Sequence, residues 1–77
     1  MKKVEIYSTP TCTYCRMAKD YFKANNVEYT EYNVATDLAK RQEMLEKTGQ
    51  MGVPVISIDG EFSVGYNKEL LAKQLGL

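Results

Sequence analysis

Short apolar segments alternate along this chain with longer segments in which apolar residues recur at helical spacing. Val4–Tyr7 predicts the first strand, and Pro10 ends it because proline cannot continue a hydrogen-bonded ladder. A helix is then predicted from Thr11 or Cys12 onward. It ends at Asn25-Asn26, since asparagine tolerates a left-handed cap. Its apolar positions are Tyr14, Met17, Ala18, Tyr21 and Phe22. We expect them to face the core, except for Tyr14, which lies between the two cysteines.

The middle of the chain repeats this order of strand and helix. Val27–Val34 alternates polar and apolar residues and is rich in β-forming side chains, which predicts a second strand. Because a helix connects the first two strands, they should be parallel with a right-handed crossover. A second helix is predicted from a cap at Thr36 or Asp37 to about Lys47, and Gly49 ends it.

The last third of the chain predicts a hairpin followed by a helix. Gly52–Ile58 has the pattern of an apolar strand with Pro54 near its start, and Asp59-Gly60 is a hairpin-turn signal. Glu61–Val64 is the return strand, so this half of the sheet should be antiparallel. Asn67 caps the final helix. The apolar residues of that helix are Leu70, Leu71, Leu75 and, at its end, Leu77. The predicted order is β-α-β-α-β-β-α, which is an α/β fold.

Length and charge narrow the classes of function. The 77 residues predict one small domain over residues 1–77. Ten basic and ten acidic residues leave no net charge, which argues against a nucleic-acid partner or a membrane surface. Glu5 interrupts the basic start before a signal peptide could form, and no apolar run approaches membrane length. We therefore expect a cytoplasmic protein. Without histidine, Cys–His hydrolysis and His-ligated metals are excluded.

Both cysteines, Cys12 and Cys15, lie at the predicted junction of the first strand and the first helix. A Cys-x-x-Cys pair at such a junction is a redox signature, because a small adjustment closes a disulfide between neighbouring side chains on one helix face. Cys12 lies near the first helical turn, where free N–H groups favour an anion. The hydroxyls of Thr11 and Thr13 and the Arg16 guanidinium could add to this effect. Cys12 should therefore attack a substrate disulfide, and Cys15 should resolve the mixed disulfide.

Two other roles for the cysteine pair are compatible with the residues. A structural disulfide closing so short a loop would constrain the unfolded chain little. A zinc site usually has four Cys or His ligands, so zinc would have to be shared between chains. In a reducing cytosol a cysteine pair is more often catalytic than structural, and we predict no metal site.

The whole chain resembles the thioredoxin fold, and most closely the glutaredoxins and the short glutaredoxin-like redoxins. The resemblance rests on the cysteine motif Thr11–Cys15, on Thr48–Pro54 and on Gly65 before the last helix. It implies a four-stranded mixed sheet flanked by three helices, with a cis Val53–Pro54 bond beside Cys12. It also implies a surface that binds glutathione. The residues of that surface would be Thr11, Thr13, Tyr14, Arg41, Val53, Pro54, Gly65, Asn67 and Lys68.

The resemblance assigns roles within this glutathione surface. Tyr14 matches the aromatic residue of the motif, and the Val53 backbone matches the partner of the cysteinyl part. Arg41 matches a position that meets the glycyl carboxylate, which suits a guanidinium fork. The backbone amides at Asn67 and Lys68 match those that receive the γ-glutamyl carboxylate at a helix N-terminus.

Three departures from the glutaredoxin pattern bear on the electron donor. Thr13 replaces the usual proline between the cysteines, and Thr9 replaces a basic residue before the motif. Gly65-Tyr66 replaces the common Gly-Gly, and Tyr66 could crowd the γ-glutamyl subsite. Short redoxins that take electrons from thioredoxin reductase often have glycine followed by an aromatic residue there.

We interpret the chain as a monomeric thiol–disulfide oxidoreductase. It would reduce protein disulfides and glutathione mixed disulfides, with glutathione as co-substrate and no metal. One alternative is an NrdH-type redoxin, whose electrons come from thioredoxin reductase rather than from glutathione. The other alternative is a binding module, a dimer bridged by an iron–sulfur cluster with Cys12 and glutathione as ligands.

Overall fold

The sheet is built around the strand that precedes the cysteines. In the computed structural model, which describes residues 2–77, four strands hydrogen-bond in the order β2-β1-β3-β4. They are β1 (Val4–Ser8), β2 (Thr30–Asn33), β3 (Val55–Ile58) and β4 (Glu61–Val64). β1 is parallel to β2 and antiparallel to β3, and β3 is antiparallel to β4. The predicted mixed sheet is therefore confirmed.

Three helices complete the predicted order, and local capping residues define their ends. They are α1 (Thr13–Ala24), α2 (Leu38–Thr48) and α3 (Lys68–Leu75). The side chains of Cys12, Asp37 and Asn67 each accept a hydrogen bond from the backbone N–H three positions later, which caps these helices. Gly49 ends α2 with a left-handed φ of 72°, as predicted. Along residues 2–77, none of the helices has the length and apolarity needed to cross a bilayer.

The helices cover both faces of the sheet. One hydrophobic cluster lies between the sheet and α1 with α3, and its buried members are Val4, Ile6, Ala18, Phe22, Ile56, Ile58 and Leu71. A second cluster lies beneath α2 and consists of Tyr7, Val34, Met44 and Val55. Because both faces are covered, all four residues of β3 are buried, which explains its nearly continuous apolar sequence.

The second strand is shorter than the predicted Val27–Val34. The pairing with β1 begins at Thr30, opposite Glu5. The preceding residues belong to the end of α1. Asn26 has a φ of 56°, and the Val27 N–H donates to the Phe22 carbonyl at 2.8 Å. This helix-ending hydrogen bond uses the N–H that a longer strand would need. The side chains of Val27 and Tyr29 nevertheless pack against the hydrophobic cluster between the sheet and α1. The alternation of polar and apolar residues therefore indicated correctly which of these side chains face the core.

Three smaller expectations are also corrected. β3 begins at Val55 rather than at Gly52, and Pro54 has no N–H to donate to a ladder. Met17 is 43% exposed, because the buried face of α1 carries Cys15, Ala18 and Phe22 instead. Leu77 lies beyond the end of α3 and is exposed.

Replacing Phe22 by Ala should destabilise the protein by about 3–5 kcal/mol, because this fully buried ring fills the centre of the α1 cluster. The free energy of unfolding from urea titration measures the effect. Leu38→Ala is the control, since Leu38 is 68% exposed and its removal should cost about 0.5 kcal/mol or less. Equal losses for the two variants would contradict the assignment of the core.

Candidate active site

The cysteine loop and three other segments meet at one edge of the sheet. Tyr7 pairs with Val55, so the chain that leaves β1 emerges beside Pro54. Because β2 is parallel to β1, the connection to α2 leaves the sheet at the same edge. The Gly65 N–H donates to the Pro54 carbonyl at 2.7 Å, which brings the residues before α3 there as well. The predicted site residues are therefore distant in the sequence but share this edge.

The Cys12 sulfur takes the position of a helix N-cap acceptor. Cys12 has an extended backbone, with φ −84° and ψ 112°, and its Sγ accepts a hydrogen bond from the Cys15 N–H at 3.1 Å. At this place the free N–H groups and the positive end of the helix dipole stabilise an anion. The first turn of α1 carries no acidic residue that would oppose this effect. Cys12 is also partly exposed, so its sulfur lies at an accessible helix start.

Cys15 lies one turn deeper and has a different environment. It is fully buried, and it forms no disulfide with Cys12. Burial raises the pKa of the Cys15 thiol to about 12, and the neighbouring Cys12 sulfur adds to the rise. This thiol consequently keeps its proton at neutral pH. The difference in burial fits the two predicted roles, although the assignment of nucleophile and resolving thiol itself stays a prediction.

A surface depression of about 330 Å³ opens at Cys12. Its lining residues are Pro10, Thr11, Cys12, Thr13 and Arg16. Within residues 2–77, no hydrogen bond joins the hydroxyls of Thr11 and Thr13 or the Arg16 guanidinium to the Cys12 sulfur, so this part of the expected support is absent. Tyr14 is 61% exposed at the same helix start, as expected for a residue of the motif that does not belong to the core.

The Val53–Pro54 peptide bond is cis, which confirms an expectation taken from the resemblance. Pro54 is buried, and Val53 packs partly against the cluster beneath α2. Among residues 2–77, no partner is found for the N–H or the carbonyl of Val53. These two groups are therefore available to an extended substrate, as in strand addition.

The remaining predicted residues lie on the two helices that begin at this edge. Arg41 is exposed in the first turn of α2. The side chain of Asn67 is used to cap α3, since its Oδ1 accepts from the Leu70 N–H at 3.1 Å. The backbone amides of Asn67 and Lys68 therefore remain the groups to consider for an anion. Glu69 lies in the same first turn and opposes anion binding there. Their contact with a ligand stays a prediction.

A polar network that the sequence pattern did not predict joins α1 to the two neighbouring strands. Glu31 on β2 accepts hydrogen bonds on Oε2 from Lys19 Nζ and from Ser8 Oγ, both at 2.8 Å. The hydrogen bond from Lys19, followed by that from Ser8, lowers the pKa of the Glu31 carboxyl. Lys19 follows Cys15 by four residues, and this spacing on one helix face was the available signal.

A second missed contact holds α2 against the sheet. The buried Tyr7 hydroxyl donates to Glu43 Oε1 at 2.5 Å, and Lys40 lies 3.3 Å from the other oxygen of that carboxylate. Burial, reinforced by Glu43, raises the pKa of Tyr7. This contact orients the helix that carries Arg41.

In the part of the chain from residue 2 to residue 77, no cluster of three or more acidic or cysteine side chains could hold a metal ion.

Comparison with protein families finds one matching family model, Glutaredoxin, over residues 4–63. A glutaredoxin-like 8.6 kDa protein in the rubredoxin operon of Clostridium pasteurianum is 47% identical over 70 residues, covering 91% of this chain and 93% of that protein. Glutaredoxin 3 of Escherichia coli K12 is 39% identical over 61 residues, covering 79% of this chain and 74% of its own length.

Solved structures agree with these relatives. The thioredoxin-like protein BC3987 superposes with a TM-score of 0.88 at 36% identity, covering 94% of this chain and 99% of that one. The NrdH-redoxin from Escherichia coli has a TM-score of 0.81 at 18% identity, covering 92% of each chain. At that identity it shows the fold alone. The architecture is therefore the thioredoxin fold.

The two thiols should differ strongly in alkylation by iodoacetamide at neutral pH. Cys12, studied alone in the Cys15→Ser variant, should react quickly because its sulfur is partly exposed at a helix N-terminus. Cys15, studied alone in the Cys12→Ser variant, should react slowly, because it is buried and its pKa is raised to about 12. Mass spectrometry follows both rates. In concentrated urea the rates should converge, whereas equal rates in the folded protein would contradict the described environments.

Proposed function

Since this chain belongs to the glutaredoxin family of thiol–disulfide oxidoreductases, we propose that it reduces glutathione mixed disulfides and protein disulfides with glutathione as its electron donor. One observation carries the mechanism. The partly exposed Cys12 sulfur accepts a hydrogen bond from the Cys15 N–H at the start of α1, whereas the Cys15 thiol is buried and protonated. An accessible sulfur and a shielded proton-bearing thiol, one turn apart, suit a two-step exchange.

In the first step, the Cys12 thiolate attacks one sulfur of the substrate disulfide. A Cys12–sulfur bond forms, the substrate S–S bond breaks, and the leaving thiolate takes up a proton. The N–H groups at the start of α1 stabilise the negative charge on Cys12 before the attack. The depression lined by Thr11, Thr13 and Arg16 would hold the other sulfur of the substrate disulfide beside Cys12.

In the second step, either glutathione or Cys15 releases the product. When Cys12 carries glutathione, attack by a second glutathione on the glutathione sulfur forms oxidised glutathione, breaks the bond to Cys12 and needs one cysteine only. Attack by Cys15 forms the Cys12–Cys15 disulfide and requires Cys15 to lose the proton that its burial retains. The monothiol route therefore has no dependence on the buried thiol.

The glutathione moiety is proposed to lie along the shared edge of the sheet. The unpaired Val53 backbone would pair with the cysteinyl part, and the exposed Arg41 guanidinium would meet the glycyl carboxylate. The start of α3 at Asn67 and Lys68 would receive the γ-glutamyl carboxylate. What supports this placement is that three separate chain segments supply donors of the right type at one edge.

A second candidate donor, thioredoxin reductase, is favoured by the residues that precede and begin α3. Tyr66 stands where glutaredoxins commonly have a second glycine, and its ring packs edge-on against Tyr21 with centroids 6.4 Å apart. Glu69 places a negative charge in the first turn of α3, where a γ-glutamyl carboxylate would bind. The Tyr66 ring packs against the cluster between the sheet and α1, so it is the Glu69 charge that would weaken this glutathione subsite relative to that of a glutaredoxin with Gly-Gly.

We further propose that the protein works as a monomer in a reducing cytoplasm. Its partners would be glutathione and proteins that carry disulfides or bound glutathione. What supports this setting is that the two cysteines of the sequence stand at catalytic spacing, as cysteine pairs in reducing compartments commonly do.

Replacing Cys12 by Ser should abolish the reduction of a glutathione mixed disulfide, because no other thiol is exposed. Replacing Cys15 by Ser should spare it, because glutathione can release the product. The assay couples glutathione, glutathione reductase and NADPH, and it is repeated with thioredoxin reductase and NADPH. An inactive Cys15→Ser variant would overturn the monothiol route. Activity of the wild-type protein with thioredoxin reductase alone would establish the second donor instead.

Replacing Arg41 by Gln should raise KM for the glutathione mixed disulfide about tenfold, roughly 1.4 kcal/mol, with kcat nearly unchanged. The reason is the loss of a charge-assisted hydrogen bond to the glycyl carboxylate. Lys47→Gln is the matched control, since it removes an exposed positive charge from the last turn of the same helix. The same change in both variants would point to a general charge effect and against a carboxylate subsite at Arg41.

A further inference from the structure

We propose that the Lys19–Glu31 ion pair is a positioning element for the resolving step. In this role the pair holds an ammonium group one helical turn from Cys15, where it stabilises the thiolate that Cys15 must become. The inference rests on the proposed dithiol function and deepens it. It concerns only the step in which Cys15 attacks, and it leaves the attack by Cys12 unchanged.

The pair is held in place from two strands. Lys19 Nζ and Ser8 Oγ both donate to Glu31 Oε2 at 2.8 Å. Ser8 is the last residue of β1 and is buried, so one donor is anchored in the sheet. The register places Glu31 opposite Ile6, whose side chain faces α1, so the carboxylate of the edge strand points toward that helix. The Lys19 side chain is only 24% exposed, which is low for a lysine.

The position of Lys19 relative to Cys15 follows from helix geometry. Residues four apart on α1 lie on the same face, with Cβ atoms roughly 5–6 Å apart. Cys15 is fully buried, so solvent cannot easily stabilise its thiolate. Burial is the largest effect on the pKa of Cys15 and raises it, whereas a hydrogen bond with the Thr9 backbone and then the charge of the Lys19 ammonium group lower it. Glu31 in turn raises the pKa of Lys19, which keeps the lysine charged.

The other titratable groups around this pair come from α1 and from the chain near β2. At the start of α1, Cys12 raises the pKa of Cys15. Further along the helix, the charge of Lys23 lowers the pKa of Glu31. Tyr29, just before β2, raises the pKa of Lys19.

The resolving step is an exchange between Cys15 and the mixed disulfide on Cys12, and it needs no other reagent. Cys15 loses its proton and attacks the Cys12 sulfur of the mixed disulfide. The Cys12–Cys15 bond forms, the bond from Cys12 to the substrate sulfur breaks, and the departing thiolate takes up the proton. Both cysteines are thereby oxidised, and the substrate disulfide is reduced to two thiols. The ammonium of Lys19 carries no proton to or from the reaction and acts only through its charge.

The size of the effect follows from how a thiol responds to its pKa. If the loss of Lys19 raised the Cys15 pKa by one unit, the thiolate fraction at neutral pH would fall about tenfold. The intrinsic nucleophilicity would rise about threefold at the same time, so the resolving step would slow about threefold per unit.

The test uses the reduced full-length protein and less than one equivalent of a nitrobenzoate disulfide whose thiolate product is coloured. The first release of colour reports the attack by Cys12, and the second reports the attack by Cys15. Lys19→Met keeps the length of the side chain and removes its charge. It should leave the first phase unchanged and slow the second about threefold per unit of pKa change. The pH midpoint of the second phase should also move upward.

Matched variants separate this role from a structural one. Lys19→Arg should restore the second phase because it returns the charge, and Lys47→Met, which removes an exposed charge from α2, should leave both phases unchanged. Glu31→Gln, which weakens the hold on Lys19, should slow only the second phase. If Lys19→Met is poorly folded by circular dichroism, Glu31→Gln decides the question in its place. A second phase equal to the wild-type one in the deciding variant would overturn the proposal. A wild-type protein without a first phase would instead overturn the proposed function of Cys12.

Discussion

Strand β1 is paired on both sides, parallel with β2 and antiparallel with β3, and this double pairing decides where the chemistry can lie. The cysteine loop leaves β1 at the edge where β3 begins, so Cys12 and the Val53–Pro54 bond share that edge although about forty residues separate them. The parallel partner brings the connection to α2 to the same place. A slip of one residue in the pairing would exchange the faces of β1 and move Ile6 out of the core that carries α1.

The unequal environments of the two thiols come from the end of a single helix. A sulfur at the N-cap accepts a backbone N–H and remains partly exposed, whereas a sulfur three residues later faces the sheet and is buried. Burial of a neutral thiol is inexpensive, but burial of a thiolate is not, so the raised pKa of Cys15 follows from its position. The same helix thus leaves one sulfur accessible and buries the other.

The polar contacts that join helices to the sheet have a common form, in which one carboxylate accepts from two donors. Glu31 accepts from Ser8 and Lys19 next to α1. Glu43 on α2 accepts from Tyr7 and is paired with Lys40. Because each carboxylate joins a helix to β1, these contacts orient α1 and α2 relative to the strand that leads into the active site. Exposed ion pairs alone would contribute little stability, so their value lies in orientation.

Local sequence determined the features that depend on a few neighbouring residues. The three N-caps, the helix stop at Gly49 and the spacing of Cys12 and Cys15 are of this kind, because capping and helical periodicity act over three or four residues. The predicted fold order followed from them. Tertiary structure alone decided the contact of Glu31 with Ser8 and Lys19. This contact depends on which strands pair and in which register, and side chains brought together by pairing leave no periodic trace in the sequence.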